Sequence, residues 1–77
     1  MMKEELRRKL RAEGIRDDAY DVDGELVDER YVLQREGDSW VVYYSERGLR
    51  SHETSFLSED EACAYLYERL QRDPTTR

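Results

Sequence analysis

The chain has 77 residues, 42% of them charged, with a net charge of −6, one cysteine and one histidine. That length makes a single domain whose core supplies about 3–5 kcal/mol of net stability. One cysteine and one histidine exclude an internal disulfide and a structural zinc site, and the acidic balance disfavours nucleic-acid phosphates as a partner.

The chain starts M-M-K-E-E-L-R-R-K-L, too charged for the apolar core of a signal peptide. Residues 2–13 are predicted to be a helix. Met2, Leu6 and Leu10 recur every four positions along one narrow apolar stripe. Glu4 and Glu5 sit where the helix dipole favours negative charge, and each precedes a basic residue (Arg8, Lys9) by one turn. Gly14 is a C-terminal stop. The basic cluster Lys3, Arg7, Arg8, Lys9 and Arg11 is interrupted by glutamates and reads as a solvated helix face.

Residues 17–29 carry Asp17, Asp18, Asp21, Asp23, Glu25, Asp28 and Glu29 with no basic residue between them. They read as a connecting loop, pinned by Tyr20, Val22, Leu26 and Val27. Asp21-x-Asp23-Gly24 resembles part of a calcium loop. Placing Gly24 at the sixth loop position, however, puts Ala19 and Arg30 where oxygen ligands belong, so no metal site is predicted. Asp17, Asp18, Asp21, Asp23 and Glu25 form either a contact surface for a cationic groove or an ordinary solvated loop.

Residues 31–36 are the first strand, Gly37-Asp38 suits a two-residue hairpin turn, and the second strand runs over 39–45. This register places Arg35 opposite Trp40, Leu33 opposite Val42 and Tyr31 opposite Tyr44. Glu46-Arg47-Gly48 reads as a three-residue loop returning a third strand over 49–56, with Thr54 opposite Trp40, His52 opposite Val42 and Phe56 on the core face. The other face carries Val32, Val41, Tyr43 and Leu49. Apolar residues on both faces call for a helix on each side or an exposed binding patch. Aromatic anchors favour interfaces, so Val41, Tyr43 and Arg47 join the candidate contact residues.

Ser58-Glu59-Asp60-Glu61 is a capping box opening a helix over 59–72, with Cys63, Leu66, Tyr67 and Leu70 on its apolar stripe. Asp73-Pro74 ends it, leaving 73–77 as a tail. The predicted fold is α+β: an N-terminal helix, a three-stranded antiparallel β-meander and a C-terminal helix.

No catalytic, cofactor or metal arrangement emerges. His52 is the only proton shuttle, and Ser51 or Ser55 nearby does not make a nucleophile with a base and an oxyanion pocket. Cys63 on a buried helix face behaves as a small hydrophobe. The longest apolar run, W-V-V-Y-Y at 40–44, is far short of a membrane span. A lone thiol fits a reducing compartment. The expectation is a non-enzymatic, cytoplasmic binding protein without a membrane or nucleic-acid partner, and a homodimer through the free sheet face is a further possibility.

W-V-V-Y-Y-S-E-R-G at 40–48, Phe56, S-E-D-E-A-C-A-Y-L at 58–66, Tyr31-Val32-Leu33 and the D-V-D-G turn at 21–24 together resemble small immunity proteins of bacterial polymorphic toxin systems. The resemblance covers about two thirds of the chain and rests on fold-building residues. It implies binding to a cognate toxin domain and occlusion of its active site or of substrate access, with a nuclease-type toxin first and an NAD-consuming toxin second. Immunity surfaces differ from pair to pair, so no functional residue carries over. The alternative is a small non-catalytic adaptor or regulatory module.

Overall fold

A computed structural model describes all 77 residues. The architecture is α+β: α1 (Lys3–Ala12), β1 (Tyr20–Asp21), β2 (Arg30–Glu36), β3 (Ser39–Glu46), β4 (Leu49–Phe56) and α2 (Glu59–Arg72). The sheet has four strands in the order β1-β2-β3-β4. β1 pairs parallel to β2, while β2–β3 and β3–β4 are antiparallel. The predicted three-stranded meander is therefore extended by a short parallel edge strand. At two residues β1 carries no periodicity of its own, and only its pairing of Tyr20 with Tyr31 and Asp21 with Val32 defines it.

Both helices pack on the sheet face that carries Tyr31, Leu33 and Val42, where Leu6 and Leu10 of α1 meet Ala62, Cys63, Leu66 and Leu70 of α2. The predicted stripe of α1 loses Met2, which caps the helix from outside and is 56% exposed. Met2 offers no capping side chain; the Lys3 N–H is instead satisfied by the Glu59 carboxylate at 3.0 Å. α2 starts at its predicted capping box, the Ser58 hydroxyl accepting from the Glu61 N–H at 3.2 Å. Residues 73–77, read as a tail, are docked: Thr76 is buried, donates to the Leu70 carbonyl at 2.8 Å, and its own carbonyl accepts from the Arg16 N–H at 2.7 Å.

The first hairpin has the predicted register through all three expected pairs. The second differs. Its turn is the two residues Arg47-Gly48, with Glu46 paired to Leu49, and both turn residues have positive φ, 52° and 78°. A two-residue turn with that sign matches the twist of the flanking strands. By itself it would shift the predicted β3–β4 pairing by one residue and turn the core face of β4 outward. A β-bulge around His52, at φ 55°, adds one residue back, so that Val42 faces Thr54 and Trp40 faces Phe56. Beyond the bulge the pairing lies two residues from the predicted one, which preserves side-chain parity; before it the shift is one, so Leu49, expected on the face of Val32 and Tyr43, lies on the opposite face with Glu46 and Tyr44. Phe56 consequently packs against the main core, as expected, 5.1 Å from the Tyr65 ring.

Candidate interaction surface

Asp21 organises the acidic segment from inside. By register it shares a sheet face with Val32, and it is 1% exposed. Its carboxylate accepts the backbone N–H groups of Asp23 at 3.0 Å, Glu25 at 3.2 Å and Leu26 at 2.9 Å. Burial pushes its proton affinity up, but these donors together outweigh burial and hold the carboxyl below its ordinary range. Asp21 was expected on a contact surface; it is the buried hub around which the loop is wound. The sequence shows it as one carboxylate in an acidic run, with nothing to mark it as the inward one.

Asp17, Asp18 and Asp23 are exposed, as expected, but none is a free charge. Arg11 meets Asp17 at 3.4 Å, Arg16 meets Asp18 at 2.9 Å, and Arg7 bridges Asp23 and Glu4. The acidic run lacks a basic residue along the chain and acquires three across space, two of them from α1. A shallow cleft of about 180 Å³ lies between these arginines and Tyr20, Val22 and Glu25. Its mixed charge suits neither a strong cation nor a strong anion.

Val41 and Tyr43, expected as contact residues, are 2% and 5% exposed and form a small second core with Val32. Neither a second helix nor an open patch accounts for this. Asp21 and the turn it holds lie on this face, and Arg50 crosses it. The Arg50 guanidinium stands 4.4 Å from the Tyr43 ring centroid and bonds Glu36 at 2.6 Å and Glu53 at 3.4 Å. A charged side chain laid over an aromatic ring shields it while its head stays in water.

One group of exposed side chains lies where the loop meets the β3–β4 turn. Asp28 Oδ1 accepts from the Ser45 hydroxyl at 3.1 Å and from the Gly48 N–H at 3.2 Å, and the Glu29 N–H donates to the Ser45 carbonyl at 2.6 Å. These bonds moor the loop to the β3–β4 turn. Glu29 and Glu46 are exposed there and form no ion pair, Arg47, as expected, is exposed at the turn, and Glu25 is exposed on the Arg7–Arg11 side of the loop. Leu26 and Leu49 stand 74% and 70% exposed among them. Leu26 and Glu29 have φ of 59° and 61°, a region side chains enter at a cost of order 1 kcal/mol each and hold only when surroundings impose it. Leu26 and Val27, expected to pin the loop to the core, are instead exposed, because the Asp21 carboxylate and not an apolar contact holds the loop. In the sequence Glu29 reads only as part of the acidic run and Glu46 only as a loop residue.

This rim therefore presents Glu29 and Glu46 beside Arg47 and the exposed Leu49, with Leu26 exposed on the adjoining loop. No side-chain set able to hold a metal ion is present, and no helix is long and apolar enough to cross a membrane. No protein-family model matches the chain, and neither a curated protein nor a solved structure is significantly similar to it.

Proposed function

We propose that this chain is an immunity protein that binds a cognate bacterial toxin domain and neutralises it by occluding the active site or substrate access. The observation that carries this reading is the moored loop end, where Glu29 and Glu46 form no ion pair, Leu49 stands exposed opposite Glu46, and Leu26 is exposed on the same loop. A cleft that attracts phosphates is basic and meets complementary charge in such a rim. The leucines supply apolar contact where water must be expelled. A nuclease-type toxin fits this charge best, and an NAD-consuming toxin presents the same phosphate-binding demand.

Size is adequate. A standard interface takes about 800 Å² from each partner, and the accessible surface here is 4806 Å². Backbone strain spent in advance on Leu26 and Glu29 lowers the ordering cost at the moment of binding.

Calorimetric titration against the toxin domain encoded beside it, catalytically disabled, tests the reading. A one-to-one complex with nanomolar dissociation, about 12 kcal/mol, is expected. Two well-folded samples that do not bind would overturn it, leaving the adaptor reading.

A further inference from the structure

A second opening lies next to the anionic rim. It is a cleft of about 300 Å³ between the β3–β4 hairpin and the end of α2, lined by Tyr31, Tyr44, Glu46, His52, Arg69 and Asp73 among others. Tyr31 and Tyr44 meet edge to face, their centroids 5.0 Å apart. The Tyr31 hydroxyl donates to Asp73 at 2.8 Å. Arg69 is already committed: it lies 5.3 Å from the Tyr31 ring and 5.7 Å from that of Tyr65, and donates to the Tyr65 hydroxyl at 2.9 Å.

Of the charged groups on the cleft, Glu46 alone accepts no hydrogen bond; Asp73 accepts from Tyr31 and Thr75, and Arg69 is held on tyrosines with no carboxylate within salt-bridge distance. Neither Glu46 nor Asp73 has a Lys or Arg within salt-bridge distance. Tyr44 is half-buried and carries no cation over its ring, unlike Tyr31 beside it. The proton affinity of the Tyr44 hydroxyl is raised, first by burial and then by Glu29, Glu46 and Asp73, so three carboxylates look onto it. The bulge turns His52 to the rim of the same opening. A cation entering would find the free carboxylate of Glu46 and the open Tyr44 ring, with the Arg69 guanidinium held on Tyr31 and Tyr65.

We infer that this tyrosine-walled cleft receives one cationic side chain, an arginine or a lysine, from the protein partner. The inference rests on the proposed docking to a basic toxin domain and deepens it. Glu46 and Glu29 belong to both the rim and the surroundings of the cleft, so one partner surface reaches both. The planar guanidinium suits the site better than an ammonium, because it stacks on Tyr44 while donating sideways to a carboxylate.

The test needs no toxin. The isotope-labelled full chain is titrated by NMR with N-acetyl-arginine methylamide, its lysine counterpart and its neutral citrulline counterpart. Saturable shifts of the Tyr44 and His52 ring signals with arginine, weaker with lysine and absent with citrulline, are expected. Glu46→Gln, an exposed change that leaves the core intact, and Tyr44→Ala should each weaken arginine binding by about tenfold. Asp17→Asn with Asp18→Asn should leave it unchanged. Equal shifts from citrulline, no saturable shift from arginine, or full binding by Glu46→Gln would overturn the inference. Because the probe is arginine alone, its failure is separable from a failure of the toxin titration.

Discussion

The buried carboxylate of Asp21 accepts the backbone N–H of Leu26 at 2.9 Å, and that bond fixes an exposed leucine in the left-handed region. An acid with 1% exposure thereby sets the shape of a surface it never reaches. Asp21→Asn keeps the size but loses charge-assisted acceptance from three amides, and should cost about 2 kcal/mol. Urea unfolding reads the loss, and amide signals of residues 23–26 should broaden in the variant well before the global transition.

Acid should act through the same group. The carboxyls of Asp21 and Asp73 are both held below their ordinary range in the folded chain. The unfolded chain then binds more protons as pH falls, so their contribution is whole above about pH 4 and is lost as pH drops through the folded values. Denaturation midpoints measured from pH 6 to pH 3 should fall steeply only below about pH 4. The Asp21→Asn variant should show a shallower fall.

Cys63 has no exposed surface, and burial followed by the nearby Glu59 pushes its thiol up to about 11. The neutral form is favoured by folding, so this contribution is present below the unfolded value and lost as pH rises from about 9 through the folded value. Labelling with a thiol reagent at pH 8 should track global opening and not the free-thiol rate.

Arg47 occupies a turn position that demands positive φ, with no side-chain bond to compensate. Arg47→Asn makes the preferred Asn-Gly turn and should raise stability by about 0.5–1 kcal/mol. Thermal unfolding checks it, with Arg47→Val as the destabilising control.

Much of this fold is legible in the residues. Gly37-Asp38 sets the first hairpin register and Ser58 with Glu61 sets the start of α2, because turn and cap chemistry act over a few neighbouring positions. The second hairpin is harder to read. Its Arg47-Gly48 turn and its bulge at His52 are two departures of one residue each, and after the bulge the alternation of β4 looks the same with both as with neither. Parity survived at Thr54 and Phe56 and was lost at Leu49 and Ser51. The surface was less legible still. Val41 and Tyr43 read as an open patch or as the bed of a second helix, since nothing local announces that Arg50 lies over Tyr43. Asp21 reads as an exposed acid since its partners are backbone amides.

That bulge can be tested directly. Deleting Glu53 removes the added residue and leaves a regular ladder in which Val42 still faces Thr54 and Trp40 still faces Phe56. The core pairing is kept, so circular dichroism and the denaturation midpoint should change little. Collapse of the fold in the deletion variant would contradict this register.

The mooring of the loop also has a consequence for timing. β2, β3 and β4 are joined by two-residue turns and can zip from local contacts. The bond from Asp28 to Gly48 spans 20 positions and closes only on a hairpin already formed. The anionic rim is therefore assembled late in folding and is the part that local opening releases first. Closure of the rim and completion of the fold arrive together, and a chain caught midway has strands but no moored loop.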